Sequence, residues 1–346
     1  MFSLEREVSM RKLTIVEALK EAIREEMDRD PRVFCIGEDI GTPGGWGGAF
    51  TVTKGLSEEY GLDRILDTPI SEIGIAGVAI GAAIAGLRPI ADVQYGDFLF
   101  CMMDQLANQA AKMTYMSGGK LSVPMIMRCP VGATTRAAQH SQSLEGLFIH
   151  IPGLKVIAPC TAYDAKGLLK TAIRDDNPVM VFEHKLLYGS KGNRAETGAL
   201  SPSSDVPEEE YLIPFGQAAI RREGKDVTII GKLVTVYRAL QAADMLAKDG
   251  IEAEVIDPRT LVPFDWETLL TSVKKTGRLV VVDEEAGTGG WAAEIAALAV
   301  DKAFDYLDAP VLRVAAENTP VPFAPEMEKF YLPNADKIVA AVKRLF

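Results

Sequence analysis

The chain has 346 residues, of which 48% are hydrophobic and 25% charged, proportions typical of a globular protein with room for two well-formed cores. The formal net charge of -11 disfavours nucleic acid and anionic membranes as partners because both would repel it, and no apolar run reaches membrane-spanning length. Residues 1–10 carry charges in place of the apolar segment of a secretory signal, so the sequence predicts a cytoplasmic protein.

The first half of the chain alternates between helical and strand patterns. Predicted helices cover 14–29, the segment from Glu72 to 85, 99–116, 143–149 and 162–174. Predicted strands cover 32–37, 64–67, 89–95, 123–129, 154–158 and 178–182. Apolar strands interleaved with helices indicate a parallel sheet that is covered on both faces. The helix that follows Glu72 consists almost entirely of small and apolar residues, so we expect it to be buried on every side.

A segment rich in Gly, Ser, Pro and Glu then interrupts the alternation, with room for a strand or two of its own. Beyond it, predicted strands cover 227–230, 251–256, 279–282 and 311–314, and predicted helices cover 236–248, 266–275, 291–306 and 336–345. We therefore predict two α/β domains, residues 1–189 and 214–346, joined by a connector over 190–213.

The four cysteines are widely spaced and lack the paired spacing of a metal site. Three of them lie in apolar segments, which predicts buried free thiols in a reducing compartment. The four are Cys35, Cys101, Cys129 and Cys160.

Glu72 places a carboxylate where a strand turns into an apolar helix. In such a setting a carboxylate needs a partner that prefers it charged or shares its proton. The local spacing suits a helix-capping acid and also a catalytic carboxylate aimed at a cofactor. Taken alone, it favours the capping acid.

Among the three histidines, His140 is the strongest candidate for chemistry. It lies in a polar loop after a strand, at the carboxyl end of the predicted sheet, where open α/β folds bind their ligands. His150 follows an apolar helix, so we expect it to pack at the helix end. His184 follows an apolar strand, so we expect a structural or surface role for it. The segment 94–98 also follows a strand, and its aromatic side chains suit either a stacking platform for a planar ligand or a core anchor.

Several common catalytic motifs are absent from the sequence, which has no P-loop lysine motif, no Gly-x-Ser-x-Gly elbow and no His-Glu-x-x-His pair. The glycine-rich segments 41–48 and 287–290 could cradle a phosphate. A flexible loop explains the first equally well, and a tight strand-to-helix turn explains the second better.

Taken together, several segments closely resemble the β subunit of the thiamine-diphosphate-dependent E1 component of 2-oxo acid dehydrogenase complexes. They run in family order and are highly specific as a set, although no single one is. The segments are Gly37-Glu38-Asp39, Asp67-Thr68-Pro69-Ile70-Ser71-Glu72, Gly86-Leu87-Arg88-Pro89-Ile90, Asp104-Gln105, Tyr115-Met116-Ser117-Gly118-Gly119, Ala138-Gln139-His140-Ser141-Gln142 and Pro152-Gly153-Leu154-Lys155-Val156.

The resemblance implies a pyrimidine-binding, parallel-sheet domain of the transketolase type followed by a transketolase C-terminal-like α/β domain. It implies that Glu72 hydrogen-bonds nitrogen N1′ of thiamine diphosphate and favours the imino tautomer of the cofactor's aminopyrimidine. Phe98 matches the aromatic residue that stacks on the pyrimidine. His140 matches the active-site histidine implicated in positioning and in proton transfer to the 2-oxo acid or lipoyl group.

The Gly-Asp-Gly…Asn motif that holds the cofactor's diphosphate through Mg²⁺ is missing from this chain. In the family it resembles, that motif lies on the α subunit, which implies an α2β2 heterotetramer and a β subunit that is inactive alone. Some members hold potassium at a matching helix end. Ala172, Asp175 and Asn177 are therefore candidate K⁺ ligands or, equally, a plain helix C-cap.

The family further implies that the C-terminal domains of two β subunits bind a small basic domain of E2, whose lipoyl domain accepts the acyl group. Acidic residues on predicted loops and exposed helix faces are candidates for this docking surface, although a solvated surface explains most of them. They are Asp283, Glu284, Glu285, Asp305, Asp308, Glu326 and Glu328.

The sequence alone leaves more than one substrate and more than one function open. Pyruvate, branched-chain 2-oxo acids and acetoin are all open, and the glycine-rich loop with Trp46 somewhat resembles acetoin enzymes. A fragment of a single-chain transketolase or deoxyxylulose-phosphate synthase would have a similar fold, but a complete enzyme of that kind would need the missing Mg²⁺ motif and a longer chain. A non-catalytic scaffold that only binds E2 would not need Glu72, Phe98 and His140 together.

Overall fold

The computed structural model describes residues 9–189, 200 and 202–346, so 190–199 and 201 of the predicted connector lie outside the described residues. The described part contains a seven-stranded sheet, a five-stranded sheet and a two-stranded sheet. Helices flank the two larger sheets, which confirms the predicted α/β fold. No helix in the part of the chain that the structure describes is both long and apolar enough to cross a membrane.

The secondary structure elements are numbered in chain order. The strands are β1 Met10–Thr14, β2 Val33–Glu38, β3 Ile65–Thr68, β4 Arg88–Asp92, β5 Ile126–Val131, β6 Lys155–Ile157, β7 Val179–His184, β8 Ser203–Pro207, β9 Ala219–Arg222, β10 Val227–Gly231, β11 Ala253–Asp257, β12 Thr260–Val262, β13 Leu279–Ala286 and β14 Leu312–Ala316. The α-helices are α1 Ile15–Arg29, α2 Leu56–Tyr60, α3 Glu72–Ile84, α4 Ala111–Met116, α5 Glu145–Ile149, α6 Ala162–Arg174, α7 Val234–Ala247, α8 Trp266–Thr276, α9 Trp291–Ala303, α10 Pro325–Tyr331 and α11 Ala335–Lys343.

The seven-stranded sheet belongs mainly to the first half of the chain and has the order β12-β6-β7-β5-β4-β2-β3. All neighbouring pairs are parallel except β12 and β6. The carboxyl ends of its parallel strands therefore meet at one edge, which is where ligands bind in open α/β sheets.

The five-stranded sheet belongs to the second half of the chain and has the order β14-β13-β10-β11-β9. Its strand pairs are parallel except for the pair of β11 with the edge strand β9. The carboxyl end of β13 lies at the boundary with the first half of the chain, where Glu284 and Glu285 accept hydrogen bonds from the backbone of Ala133 and Gly146.

Strand pairing joins distant parts of the chain. Strand β12 comes from the second half but pairs with β6 of the first sheet, and β8 pairs with β1 near the start of the described chain. The sequence did not predict β1, β9, β12 or the helices α2 and α10. These elements are short, and most of their stability comes from a distant partner that local pattern does not reveal.

Helix α3 corrects one expectation, because it is buried on one face only. Ala76 and Ala79 are fully buried, whereas Val78 is 51% exposed and Ile73 is 54% exposed. The helix packs against β4 and the 3-10 helix Gly96–Met102, and the opposite face meets nothing in the described chain. Small residues on every face of a helix permit burial on every side. Burial of the second face also needs a packing partner, which the sequence pattern does not reveal.

The predicted helix 99–116 is helical throughout but changes type along its length. It consists of the 3-10 helix Gly96–Met102, the π-helix Gln105–Ala110 and α4. Apolar spacing does not distinguish these hydrogen-bonding patterns, and π-helical turns are frequent at functional sites.

The cysteine prediction is confirmed for three residues. Cys35, Cys129 and Cys160 are buried free thiols, whereas Cys101 is exposed. Burial raises the pKa of Cys35 to about 12, so this thiol stays protonated at neutral pH.

Candidate active site

The three predicted site residues all lie at the carboxyl edge of the seven-stranded sheet. Glu72 is the first residue of α3 and follows β3, and Phe98 lies in the 3-10 helix that follows β4. His140 lies in the loop that follows β5. Because α3 packs against the 3-10 helix, the elements that carry Glu72 and Phe98 are direct neighbours.

Phe98 and His140 are in contact and form an aromatic triad with Tyr95. The ring centres of Tyr95 and His140 are 5.0 Å apart, and those of Phe98 and His140 are 5.4 Å apart. Both contacts are edge-to-face, with interplanar angles of 84°. Edge-to-face packing fixes the plane of the imidazole, so the orientation of the His140 ring is set by two other rings.

Lys185 contacts the backbone of the same histidine. Its side chain is almost fully buried, and its Nζ donates a hydrogen bond to the backbone carbonyl of His140. The ammonium also lies 4.9 Å from the ring centre of Tyr95, within the range of a cation–π contact. One buried cation therefore contacts two members of the aromatic triad.

The histidine loop, residues 132–142, is closed at its base. The Gly132 N–H donates to the Gln142 carbonyl at 3.1 Å. Asp97 Oδ1 accepts hydrogen bonds from the Gln142 backbone N–H at 3.3 Å and from its side-chain Nε2 at 2.7 Å. Asp97 lies beside Phe98, so the loop is tied to the segment that carries the aromatic ring.

Carboxylates from the second half of the chain bind the N-terminal part of the histidine loop. The Ala133 N–H donates to Glu284 Oε1 at 2.8 Å, and the Thr135 N–H donates to Glu328 Oε2 at 2.7 Å. Glu284 and Glu328 are 5% and 7% exposed. A buried backbone N–H without a partner is costly, so these carboxylates decide where the loop can lie.

This arrangement corrects the expectation of an exposed acidic docking surface. Four of the seven candidate residues are buried, namely Asp283, Glu284, Glu285 and Glu328. Local sequence marks these residues only as acidic, whereas Glu284, Glu285 and Glu328 each accept from a backbone N–H group more than a hundred residues away. Asp283 pairs with the buried Lys232. Asp305, Asp308 and Glu326 are exposed, as expected.

A buried lysine neutralises part of this charge. Lys232 Nζ lies 2.9 Å from Glu145 Oε2, 2.9 Å from Asp283 Oδ1 and 3.1 Å from Glu285 Oε1. Burial and the neighbouring charge of Asp283 raise the pKa of Glu285 well above its ordinary value. Since Glu145 begins α5, this group links the segment after the histidine loop to the second sheet.

The start of the histidine loop requires glycine. Gly132 has a φ of 97°, and a Cβ at this position would overlap the ring of His184. The sequence left a structural or a surface role open for His184, and the structure buries this side chain. Its Nδ1 accepts from the Leu186 N–H at 3.2 Å, which places the ring hydrogen on Nε2, 3.1 Å from Glu284 Oε1.

Glu72 lies in a different electrostatic environment, the acidic cluster of Glu38, Asp39, Asp67 and Glu72. Partial burial and the charges of Asp39, Glu72 and Asp67 raise the pKa of Glu38. Glu72 is half-buried and has no hydrogen-bond or ion-pair partner among the residues that the structure describes. It does not cap α3 through a hydrogen bond, so its carboxylate is available to a ligand.

The surroundings of both glycine-rich segments disfavour a phosphate site. In the first, Asp67 Oδ1 accepts from the Ile40 N–H at 2.9 Å, and Glu58 Oε1 accepts from the Gly44 N–H at 2.7 Å. In the second, the Trp291 and Ala292 N–H groups at the start of α9 donate to Glu285 and Asp283. Carboxylates thus accept from N–H groups in or beside both segments, and their negative charge disfavours a phosphate there.

The candidate potassium ligands lie at the C-terminal end of α6. The Asp175 N–H donates to the Ala172 carbonyl at 3.1 Å, and Asp175 Oδ1 accepts from Asn177 Nδ2 at 2.8 Å. Arg88 Nη1 donates to the carbonyls of Ile173 and Asp175 at 3.0 and 2.9 Å. A guanidinium thus supplies the positive charge at this helix end, which favours the C-cap over an ion site.

One cluster of ligand-type side chains lies away from this edge, at Cys160, Asp164 and Asp257 in the described part of the chain. Arg221 Nη2 lies 2.6 Å from Asp257 Oδ2, and Arg259 Nε lies 2.8 Å from Asp164 Oδ1. Two arginines balance the two carboxylates, so the cluster is an ion-pair network and leaves no net charge for a metal ion.

Sequence reasoning missed Lys185, Glu284 and Glu328 as parts of this edge. The available signal was charge at the end of apolar strands: Lys185 directly follows β7, and Glu284 lies within β13. A charge in such a position is buried and needs a specific partner.

Family comparison agrees with the two halves of the structure. Residues 11–191 match the family described as the transketolase pyrimidine-binding domain, and residues 216–338 match the transketolase C-terminal domain. Among solved structures, a chain described as "Split gene transketolase, inactive beta4 tetramer" aligns with a TM-score of 0.77 over 97% of this chain and 98% of its own. At 22% identity that likeness concerns the fold alone.

Curated relatives are similar over nearly the whole chain. The β subunit of an acetoin:2,6-dichlorophenolindophenol oxidoreductase from Cupriavidus necator is 51% identical, covering 96% of this chain and 97% of the relative. The β subunit of the pyruvate dehydrogenase E1 component from Rickettsia felis is 48% identical, and that of a 2-oxoisovalerate dehydrogenase from Bacillus subtilis is 44% identical. For both of these the alignment covers 96% of this chain and 98% of the relative.

We predict that Glu284 makes the folded chain sensitive to acid. Burial would raise its pKa, but His184, Arg238 and the Ala133 N–H outweigh burial and lower the pKa of Glu284 from 4.5 to about 2. A carboxyl whose pKa falls on folding stabilises the fold above its unfolded pKa, and this stabilisation is lost as the pH falls through the folded pKa. The sensitive window therefore runs from about 4.5 down to about 2.

Thermal unfolding of the wild type and of Glu284→Gln, followed from neutral pH into this window, measures the effect. The melting temperature of the wild type should fall more steeply with acid than that of the variant. Glu326→Gln, on the exposed side of α10, is the control and should follow the wild type. Parallel curves for wild type and Glu284→Gln would contradict the prediction.

Proposed function

The chain belongs to the family of β subunits of the E1 components of 2-oxo acid dehydrogenase complexes, and we propose on this premise that it supplies the pyrimidine-binding half of a shared thiamine diphosphate site. The assembled enzyme would decarboxylate a 2-oxo acid oxidatively and transfer the acyl group to the lipoyl domain of E2. Glu72, Phe98 and His140 would be this chain's contribution to the reaction.

One observation carries the proposal. Glu72 is a half-buried carboxylate without a partner among the described residues, and its helix packs against the helix of Phe98. An aminopyrimidine is planar and presents ring nitrogens and an amine, so it needs one carboxylate at its edge and one apolar ring at its face. The side chains at this edge of the sheet fit both requirements.

Each residue then has a distinct task. Bound thiamine diphosphate supplies the carbanion chemistry that no side chain can supply. Glu72 would hold the pyrimidine by a hydrogen bond at N1′, and Phe98 would pack on the ring. His140 would hold or move a proton at the 2-oxo acid or lipoyl group, with its ring plane fixed by Tyr95 and Phe98.

The other end of the cofactor needs a second chain. The acidic cluster around Glu72 would repel a diphosphate, and carboxylates already accept from N–H groups in or beside both glycine-rich segments. The sequence also lacks a Gly-Asp-Gly…Asn motif for Mg²⁺. We therefore place the Mg²⁺-diphosphate site on an α subunit. We propose an α2β2 heterotetramer in which this chain is inactive without the α subunit.

The exposed face of α3 is suited to such a partner. Ile73 and Val78 project from it at 54% and 51% exposure, beside the small residues Gly77 and Gly81. A largely apolar helix face that meets nothing in its own described chain is typical of a protein–protein interface. It begins at Glu72, so a partner that covers it would also close the site. For E2 binding, the exposed Asp305, Asp308 and Glu326 are the acidic candidates that remain.

Acetoin is the second candidate substrate. The relatives at 51% and 48% identity from Cupriavidus necator and Bacillus subtilis are named acetoin:2,6-dichlorophenolindophenol oxidoreductase β subunits, while a pyruvate dehydrogenase β subunit also stands at 48%. Rates of the reconstituted assembly with pyruvate, branched-chain 2-oxo acids and acetoin, read with a dye as electron acceptor, separate these candidates.

We predict that Glu72→Gln and Glu72→Ala lower the dye-linked rate of the assembled enzyme by more than ~100-fold, the scale of a positioned acid–base group. Unfolding temperatures should stay near that of the wild type because Glu72 stabilises no other described residue through a hydrogen bond. Asp63→Asn, exposed just before the amino end of β3, is the matched control. Near-normal turnover by folded Glu72→Ala would refute the role.

We predict that His140→Ala retains thiamine diphosphate but slows reductive acylation of the lipoyl domain by ~100-fold. The imidazole lies at the sheet edge on a loop, so its removal leaves the pyrimidine contacts of Glu72 and Phe98 in place. Cofactor titration and single-turnover acylation are measured separately. Wild-type acylation by this variant would remove His140 from the mechanism.

We predict that Val78→Arg weakens association with the α subunit, because a charge would be buried on the apolar face of α3. The variant chain alone should fold as the wild type does. Leu62→Arg, equally exposed but near the amino end of β3, is the control and should assemble normally. Light scattering of the mixed chains reports the α2β2 species, and undiminished assembly of Val78→Arg would place the partner elsewhere.

A further inference from the structure

We propose that Lys185 is a positioning residue for His140, and that it sets both the backbone and the ring of this histidine. The inference rests on the proposed role of His140 in acyl transfer. Lys185 would act through its contacts with the His140 carbonyl and the Tyr95 ring.

The burial of Lys185 is the first argument. Its relative exposure is 1%, and it begins the short 3-10 helix Lys185–Leu187 directly after β7. An ammonium is withdrawn from water only where directed contacts replace its hydration. One of these contacts is the hydrogen bond from Nζ to the His140 carbonyl, which lies 45 residues earlier in the chain.

The hydrogen bond from Lys185 also holds a stretch of the loop that lies between the other anchors. Glu284 and Glu328 hold the loop at Ala133 and Thr135, and Asp97 holds its end at Gln142. The backbone takes positive φ values at Thr135 and Ala137, 57° and 62°, which L residues rarely adopt. Such a segment keeps its conformation only where its surroundings determine it.

Lys185 also contacts the ring of Tyr95. The ammonium lies 4.9 Å from the centre of the Tyr95 ring, and this ring packs edge-to-face on His140 at 5.0 Å. Lys185 therefore fixes the histidine at the carbonyl and, through Tyr95, at the imidazole. A histidine that transfers a proton must be placed closely, because a shift of about 1 Å can cost ~100-fold in rate.

The test uses the assembled α and β chains and compares two half-reactions. Lys185→Met removes the ammonium and keeps the length of the side chain, and it should slow reductive acylation of the lipoyl domain by ~10- to 100-fold. Dye-linked decarboxylation and the KM for the substrate should change much less. Lys185→Arg keeps a charged donor and should recover part of the acylation rate.

Lys170→Met is the matched control for loss of a buried ammonium. Lys170 is 2% exposed and pairs with Glu25 on α1, away from the sheet edge. This variant should lower the unfolding temperature without selective loss of acylation. If Lys185→Met does not assemble, Lys185→Gln, which keeps a neutral donor, is measured in the same way.

A double-variant cycle with His140→Ala decides whether Lys185 acts through the histidine. When His140 is already absent, Lys185→Met should lower the acylation rate by less than about twofold. An undiminished loss in that background, equal losses in both half-reactions, or no loss in the single variant would each overturn the proposal. If His140→Ala itself acylates normally, the proposed role of His140 fails together with this inference; if only Lys185→Met acylates normally, this inference fails alone.

Discussion

Backbone N–H groups of the histidine loop must be paired, and the carboxylates that pair them come from the other half of the chain. Glu284 accepts from the buried N–H of Ala133 at 2.8 Å, and Glu328 accepts from the partly buried N–H of Thr135 at 2.7 Å. The penalty for an unpaired buried N–H makes this interaction hard to exchange for another. The position of His140 therefore depends on the second sheet as much as on the strand that precedes the loop.

This constraint explains why the two halves of the molecule form one functional unit. Strand β12 extends the first sheet, and the ion group around Lys232 joins α5 to β13. An acidic cluster surrounds Glu72 at the carboxyl edge of the first sheet. Under the proposed function, the aminopyrimidine would bind there and the diphosphate would be repelled. A site that bound only one end of its cofactor would require a second chain.

The sequence predicted what local pattern determines. The bounds of α6 were predicted correctly because Thr161 caps it and amphipathic spacing continues to Arg174, and the strand-end positions of Glu72, Phe98 and His140 follow from the order of strands and helices. The acids at 283–285 were misassigned to the surface, because their burial depends on partners distant in sequence. Short strands such as β12 were not predicted for the same reason. Its three residues are too few to show a strand pattern, and the strand forms by pairing with β6.

The central claim is that this chain binds the pyrimidine end of thiamine diphosphate through Glu72 and leaves the diphosphate to a partner. A crystal structure of the chain assembled with its α subunit and thiamine diphosphate tests it most directly. The account predicts the Glu72 carboxylate within hydrogen-bond distance of N1′, the Phe98 ring against the pyrimidine, and Mg²⁺ with the diphosphate held by the α subunit. A pyrimidine bound away from Glu72, or a diphosphate held by this chain, would contradict it.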